Sequence, residues 1–212
     1  MFADRADAGE QLADELASRS VDPDVVLGVP RGGLPVADAV AERLGASLDI
    51  VVAKKIALPH NQEYAVGAVT ADGEAWYDED IIQQLGIDES ELTDQEMQAR
   101  RRAIEKRDAF RDGRPAREIA GKRVVVVDDG IATGATMRAC VRSVVDAGAD
   151  EVIVAVPVAS PTSVPELQLE ADEVIALQTP ERFRAVGQYY GAFDQVSTAE
   201  AVEYLEELAA AG

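Results

Sequence analysis

The chain has 212 residues, 47% of them apolar and 5% aromatic, with 40 acidic against 20 basic side chains and a net charge of −20. This charge argues against nonspecific nucleic-acid binding through a basic face, and no apolar run approaches the roughly 18 to 20 residues of a membrane span. Cys140 is the only cysteine, which excludes an internal disulfide. With no signal-peptide pattern at the N-terminus, we expect a cytoplasmic location.

Hydrophobic periodicity and turn residues predict alternating helices and strands along most of the chain. In order, they predict a helix over 3–19, a strand over 24–29, a helix over 34–45, a strand over 48–55, a hairpin within 63–77, a helix over 89–111, a strand over 122–128, a helix over 134–147, a strand over 151–157, a helix over 162–169, a strand over 173–178 and a helix over 198–210. This alternation is typical of an α/β fold with a mainly parallel sheet and helices on both faces. We expect one domain over 1–212, with a lid-like insertion at about 56–118.

The segment 124–136, VVVVDDGIATGAT, places two acids at the end of a buried strand and a loop of small residues directly after them. At the carboxyl edge of a parallel sheet, the N–H groups of such a loop and the start of the next helix can hold a phosphate. Thr133 and Thr136 can add hydroxyl hydrogen bonds. Asp128 and Asp129 would repel a second phosphate, so we expect them to face ribose hydroxyls or a metal. The alternative is a plain turn with a helix cap.

Two further segments end at the same predicted edge of the sheet. In GVPRGGLPVA, Gly32 and Gly33 let the backbone approach a ligand, and Arg31 can bind two oxygens at once. Lys54 and Lys55, two of only four lysines, end the predicted second strand. The alternatives are an ordinary strand-to-helix turn and two solvent-exposed lysines.

At every position, the segment 124–136 resembles the thirteen-residue phosphoribosyl pyrophosphate motif of the type I phosphoribosyltransferases, and GVPRGGLPVA resembles the pyrophosphate loop of that family. The resemblance implies that Asp128 and Asp129 bind the ribose 2- and 3-hydroxyls. It implies a 5-phosphate site formed by Ala132, Thr133, Gly134, Ala135 and Thr136. It also implies a pyrophosphate site formed by Arg31, Gly32, Gly33 and Lys55. In the family a non-proline cis peptide is common in this loop, and here it is expected between Arg31 and Gly32.

The resemblance further implies a Mg²⁺-dependent pentosyltransferase, which transfers 5-phosphoribose from phosphoribosyl pyrophosphate to a nitrogenous, nucleobase-like acceptor and releases pyrophosphate. The residues expected to act in catalysis are Arg31, Lys54, Lys55 and Asp129. No protein ligand to Mg²⁺ is assigned, because substrate oxygens and water would supply most of its ligands. The family is often dimeric, so a homodimer is compatible with the resemblance. The alternative is a non-enzymatic regulatory domain that binds phosphoribosyl pyrophosphate or a nucleotide.

Two departures from the family bear on the acceptor. Members that act on 6-oxopurines carry Asp where this chain has Ala132. They also bind the oxo group through a lysine in a later strand-end loop, whereas residues 151–180 of this chain contain no Lys or Arg. A hypoxanthine–guanine enzyme is therefore disfavoured. The chain looks closer to adenine-type members in its motif, and most like the poorly characterised branch of the family.

The C-terminal segment at about 179–197 corresponds to the hood with which the family holds its acceptor. The candidates for stacking on the acceptor are Phe183, Tyr189 and Tyr190, and packing in the core is the alternative for these rings. His60, the only histidine, is either a substrate contact or a structural loop residue.

The charges are unevenly placed along the chain. Residues 100–123 contain ten of the twenty bases, which predicts an electropositive patch near an anionic ligand. Alternatively, pairing with Glu96 and Glu105 at helical spacing would leave an ordinary solvated helix. The acids are scattered and only four bases are lysines, so we favour a surface adapted to high salt over an acidic interaction protein or a nucleic-acid mimic.

Overall fold

The computed structural model describes residues 1–58, 61–73 and 75–210. In chain order the elements are α1 (Arg5–Ser18), β1 (Val25–Gly28), α2 (Gly33–Leu44), β2 (Ser47–Ile50), β3 (Ala53–Leu58), β4 (Asn61–Thr70), β5 (Ala75–Tyr77), α3 (Glu79–Leu85), α4 (Glu89–Arg111), β6 (Arg123–Val127), α5 (Ala135–Asp146), β7 (Glu151–Val158), α6 (Ser163–Leu167), β8 (Glu173–Gln178), a 3₁₀ turn (Val186–Tyr189) and α7 (Thr198–Ala210). No helix in the described ranges is long and apolar enough to cross a membrane.

Five strands form a parallel sheet in the order β2-β1-β6-β7-β8. The valine run forms the central strand β6, and its side chains alternate between the two faces of the sheet. Val125 and Val127 pack with residues of α1, α2 and α7, whereas Val124 and Val126 pack with residues of α5 and α6. The expected α/β fold, with a mainly parallel sheet and helices on both faces, is confirmed.

The prediction of a single strand over 48–55 is wrong. β2 ends at Ile50, and Ala53 begins β3, which pairs antiparallel with β4 in a separate three-stranded sheet of order β3-β4-β5. The apolar run is continuous, but the hydrogen bonds change partner: Val51 N–H still donates to Gly28 in the parallel sheet, whereas the carbonyl of Val52 accepts from Ala71. The predicted hairpin is confirmed as the antiparallel pair β4–β5.

The chain between β2 and β6 forms the small sheet with helices α3 and α4. Its own hydrophobic cluster contains Ile56, Val66, Val69, Leu92 and Ala99. The helix α3 was not predicted, although Asp78 caps its first turn by accepting from Ile81 N–H and Gly86 ends it in the left-handed region. This segment lies beside the carboxyl edge of the parallel sheet; its role as a lid stays a prediction.

Candidate functional site

A cleft of about 360 Å³ opens at the carboxyl edge of the parallel sheet, where ligands bind in folds of this class. It is lined by Val29, Pro30, Arg31, Gly32, Ala53, Lys54, Lys55, Lys106, Asp128, Gly130, Ile131, Ala132, Thr133, Gly134, Thr136, Met137 and Val186. The structure therefore brings three segments predicted separately, the β1–α2 turn, the lysine pair and the loop after β6, around one space.

The loop after β6 has the geometry of an anion site. Gly134 has φ +78° and caps α5 without a side-chain hydrogen bond, so the first N–H groups of this 12-residue helix have no intrahelical acceptor. Glycine is favoured here because the left-handed region strains other residues. Thr133 and Thr136 line the cleft beside these N–H groups, whereas Ala135 packs behind them in the protein interior. The helix dipole adds to the attraction for an anion.

The two acids have different surroundings. Asp128 faces the cleft, and its Oδ1 accepts from the N–H of Asp129 at 2.8 Å. Burial raises the pKa of Asp128 well above its ordinary value, and the charge of Asp129 raises it further. Asp129 instead receives a 2.8 Å hydrogen bond from Nε of Arg5 to its Oδ2. Burial raises the pKa of Asp129 too, and Arg5 opposes that shift.

The turn between β1 and α2 packs against the acid pair at distances that admit only glycine. A Cβ on Gly32 would overlap Oδ2 of Asp129, and a Cβ on Gly33 would lie 2.9 Å from the Cα of Asp128. The structure has a non-proline cis peptide in this turn, but between Pro30 and the following arginine, one residue earlier than predicted. The predicted position, between Arg31 and Gly32, is therefore wrong by one residue, and Gly32 caps α2 with φ −63° and ψ −31°.

Three cations lie together in the cleft lining, and they also line a smaller cavity beside it: Arg31, Lys54 and Lys106. Lys106 lies on α4 and donates from Nζ to the carbonyl of Pro30 at 2.6 Å. Burial, followed by the positive charges of Lys54 and Arg31, lowers the pKa of Lys106 to about 8. Lys55 also lines the cleft and is solvent-exposed.

Three other bases of the 100–123 segment, all arginines, bind protein groups outside the cleft. Arg100 donates to the carbonyl of Gly73 at 2.5 Å and to Glu96 at 3.1 Å. Arg107 pairs with Asp72, and Arg111 pairs with Asp49 at 3.2 Å. Of the ten bases in this fully described segment, Lys106 is the one in the cleft lining. Composition indicated the region and could not indicate which base reaches the site.

The predicted acceptor residues lie around the rim. Tyr190 is buried against Phe2, and its hydroxyl donates to the backbone carbonyl of Asp129 at 2.5 Å. Phe183 and Tyr189 stack on each other with ring centroids 5.7 Å apart. From this segment Val186 lines the cleft, and an acceptor role for the three aromatic residues stays a prediction. His60 lies outside the described residues.

The described residues contain no cluster of three His, Cys, Asp or Glu side chains that could hold a metal by themselves. Asp128 is the carboxylate in the cleft lining. This donor set suits Mg²⁺, which is usually bound through one or two carboxylates, substrate phosphates and water.

Comparison with known proteins gives a consistent result. The sequence matches the family model described as phosphoribosyl transferase domain over residues 4–190. It is 41% identical over 206 residues to a protein of Mycobacterium tuberculosis strain H37Rv named "Putative phosphoribosyl transferase Rv0571c". That alignment covers 97% of this chain and 46% of the relative, so the chain spans about half the length of the curated relatives it matches.

Solved structures are similar as well. The crystal structure of TT1426 from Thermus thermophilus has 42% sequence identity and a TM-score of 0.85, over 98% of this chain and 99% of that chain. The structure of AQ2163 from Aquifex aeolicus has 13% identity and a TM-score of 0.51, over 86% of this chain and 78% of that chain. At that identity the second similarity concerns the fold alone.

Proposed function

The chain belongs to the phosphoribosyl transferase family, and from this premise we propose that it transfers 5-phosphoribose from phosphoribosyl pyrophosphate to a nitrogenous acceptor. Family membership confirms the predicted family, and the pentosyltransferase activity is part of the proposal. The observation that carries the specific proposal is the cleft itself, in which a phosphate loop, the carboxylate of Asp128 and four cations line one space.

Each part of the cleft has a role in this reaction. The N–H groups after Gly134, with Thr133 and Thr136, would hold the 5-phosphate. Asp128 would accept a hydrogen bond from one ribose hydroxyl. Because Arg5 engages Oδ2 of Asp129, the second hydroxyl would donate to its other oxygen.

The reaction breaks the bond from the anomeric carbon to the pyrophosphate oxygen and forms a bond from that carbon to the acceptor nitrogen. Negative charge accumulates on the departing pyrophosphate, and Arg31, Lys54 and Lys106 are placed to stabilise it, with Lys55 at the edge. Bound Mg²⁺, held by Asp128 together with substrate oxygens and water, would supply further positive charge there. Catalysis would thus rest on electrostatic stabilisation rather than on a general base.

The acceptor would lie beside Val186, the hood residue in the cleft lining. The stacked rings of Phe183 and Tyr189 flank that residue in sequence and are the aromatic surface nearest to it along the chain. With Ala132 in the phosphate loop and no basic residue in 151–180, we favour an adenine-like acceptor over a 6-oxopurine. Release of pyrophosphate with a panel of nucleobases would test this choice.

A regulatory domain that binds the same ligand without turnover is the second candidate. The phosphate loop and the cations of the cleft would serve such a domain equally well, because binding the ligand requires no turnover. Pyrophosphate release that depends on an acceptor would exclude this candidate. Tight binding without release for any nucleobase would support it.

The test is calorimetric titration of phosphoribosyl pyrophosphate with Mg²⁺ at molar KCl, with ribose 5-phosphate and AMP as comparators. We expect Mg²⁺-dependent binding, weakened by roughly 10- to 150-fold in Asp129→Asn, because a hydrogen bond to a charged group contributes about 1.5–3 kcal/mol. Asp146→Asn removes an exposed carboxylate at the end of α5 and serves as the matched control. Unchanged affinity in Asp129→Asn would remove the ribose assignment, and no binding of any ligand would refute the proposed function.

A further inference from the structure

A second cavity, of about 560 Å³, lies at the opposite edge of the parallel sheet from the cleft. Its lining includes Val25 and Ser47, the first residues of β1 and β2, and Lys122, which precedes β6. The cleft lies at the other ends of the same strands. A strand of four to five residues is about 13–17 Å long, so the two spaces are separated by roughly that distance along the strands.

The cavity is basic although the chain as a whole carries a net charge of −20. Four cations line it, and two acids accompany them, Asp49 and Glu118. The cations are Arg111, Arg114, Arg117 and Lys122. A concave, positively charged surface concentrates anions from solution.

Asp49 offsets only one of the four positive charges, and its oxygens already have partners. Its Oδ1 accepts from the N–H of Ile50 at 2.8 Å. Its Oδ2 accepts from the N–H of Arg117 at 2.8 Å and from Nη2 of Arg111 at 3.2 Å. One guanidinium is therefore paired, and Glu118, the second acid, is exposed to solvent.

Two guanidinium nitrogens in this cavity are buried and lack an acceptor. Arg114 donates from Nε and Nη2 to the carbonyls of Arg111 and Phe110, at 2.9 and 3.1 Å, which leaves its Nη1 unpaired. Nε of Arg111 is also unpaired. The paired nitrogens of Arg114 cap the C-terminus of α4, and this role does not involve the two unpaired nitrogens. The positive charge on these buried nitrogens is not matched by a protein acceptor, which strengthens the attraction of the cavity for an anion.

We propose that this cavity is a binding site for a multiply charged phosphate anion, a phosphate ester or a polyphosphate, separate from the cleft. Arg117, which is exposed, and Lys122 contact its oxygens, and the guanidinium groups of Arg111 and Arg114 add positive charge behind them. The volume falls within the range of about 300–1,000 Å³ that is usual for small-ligand sites. The inference does not depend on the proposed reaction in the cleft.

The experiment is calorimetric titration of the whole chain with inorganic tripolyphosphate at about 0.15 M KCl, where surface charge is partly screened. The double variant Arg117→Gln/Lys122→Gln removes two cations from the cavity; Arg117 touches Asp49 through its backbone N–H, which the substitution keeps. The variant Arg101→Gln/Arg102→Gln removes two exposed charges of α4 that are outside the cavity lining, and it is the matched control. Lys106→Gln alters the cleft instead.

We expect a binding component that is at least 10-fold weaker in Arg117→Gln/Lys122→Gln and is retained both in the control variant and in Lys106→Gln. Thermal unfolding of each variant checks that the chain is folded. This component would still be present if the cleft bound no phosphate at all. Failure of the proposed function can therefore be distinguished from failure of this inference. Tripolyphosphate binding that is the same in wild type and in Arg117→Gln/Lys122→Gln, or equally lost in the control, would overturn the proposal.

Discussion

Nε of Arg5 lies 2.8 Å from Oδ2 of Asp129 and ties the first helix directly to the second acid of the phosphoribosyl motif. The same guanidinium donates from Nη1 to the carbonyl of Asp194 at 2.7 Å and lies 3.9 Å from the ring centroid of Phe193. One side chain thus joins α1, the acid pair and the C-terminal hood. The side chains of Arg5 and Asp129 are only 12% and 14% exposed, so neither charge has solvent to replace its partner.

We predict that Arg5→Ala lowers the free energy of unfolding by about 3 kcal/mol, because removing one member of a desolvated ion pair leaves the other charge uncompensated. Urea denaturation at pH 7 measures the change. In an Asp129→Asn background the same substitution should cost much less, and equal costs in the two backgrounds would contradict the prediction. The deficit should also shrink as the pH falls, because burial raises the pKa of Asp129 and protonation removes the unpaired charge.

The lowered pKa of Lys106, about 8, predicts how ligand binding depends on pH. Below pH 8 the ammonium is charged and available to pyrophosphate, and above pH 8 the free protein loses this cation. The affinity for phosphoribosyl pyrophosphate should therefore decline as the pH rises above about 8. Lys106→Arg should abolish the decline, since arginine stays protonated, and Lys54→Arg should keep it. A decline that persists in Lys106→Arg would assign it to another group.

The same shift predicts the stability of the free protein. The pKa of Lys106 is about 8 in the folded state against 10.5 for the unperturbed side chain, so the unfolded state binds more protons between these values. The free energy of unfolding should therefore gain a favourable contribution as the pH rises from 8 to 10.5. The urea midpoint of wild type should rise relative to that of Lys106→Gln as the pH increases over that interval. A constant difference would show that the amine is not desolvated.

The parts of the fold that were predicted correctly have local signals. The valines of β6, the hairpin β4–β5 and the helix α4 were readable because each depends on residues close in sequence. The division of 48–55 between two sheets was not readable, because β-branched and apolar residues favour a strand without specifying which strand it pairs with. The helix α3 had readable signals, caps in Asp78 and Gly86 and acids in its first turn, but its seven residues bury no side chain and so show no apolar periodicity.

The candidate site divides in the same way. The acid pair and the phosphate loop lie within one short segment, so the pattern itself indicated them. Arg5 reaches Asp129 across 124 positions, and Lys106 reaches Pro30 across 76, and no spacing rule connects residues so far apart. Their positions follow from the packing of α1 on α2 and of α4 on the small sheet, which only the folded structure shows.

Gly32 should tolerate no side chain. We predict that Gly32→Ala weakens binding of phosphoribosyl pyrophosphate by roughly 5- to 150-fold, because overpacking costs about 1–3 kcal/mol and here displaces the carboxylate of Asp129. Gly45→Ala is the control: this glycine ends α2 with φ +68°, and a Cβ there meets nothing within 4 Å. It should lower stability by about 1 kcal/mol and leave the affinity unchanged. Wild-type affinity in Gly32→Ala would show that the acid pair does not depend on this contact.

The neighbouring tyrosines Tyr189 and Tyr190 give a matched pair for the hood. The hydroxyl of Tyr190 donates to the carbonyl of Asp129 at 2.5 Å in a partly buried position, whereas that of Tyr189 donates to the carbonyl of Arg182 at 3.2 Å in an exposed position. Burial raises the pKa of Tyr190 and the charge of Asp129 raises it further, so its hydroxyl remains a donor at any working pH.

We predict that Tyr190→Phe lowers the free energy of unfolding by about 0.5–1.5 kcal/mol, because it removes a partly buried hydrogen bond, and that Tyr189→Phe changes it by less than about 0.5 kcal/mol. Both substitutions keep the aromatic ring, so any stacking on an acceptor is preserved and the hydroxyl alone is tested. Tyr190→Phe should also weaken binding of phosphoribosyl pyrophosphate, since the hydroxyl fixes the backbone of Asp129. Equal effects of the two substitutions, measured by urea denaturation and calorimetry, would mean that the hood does not position the acid pair.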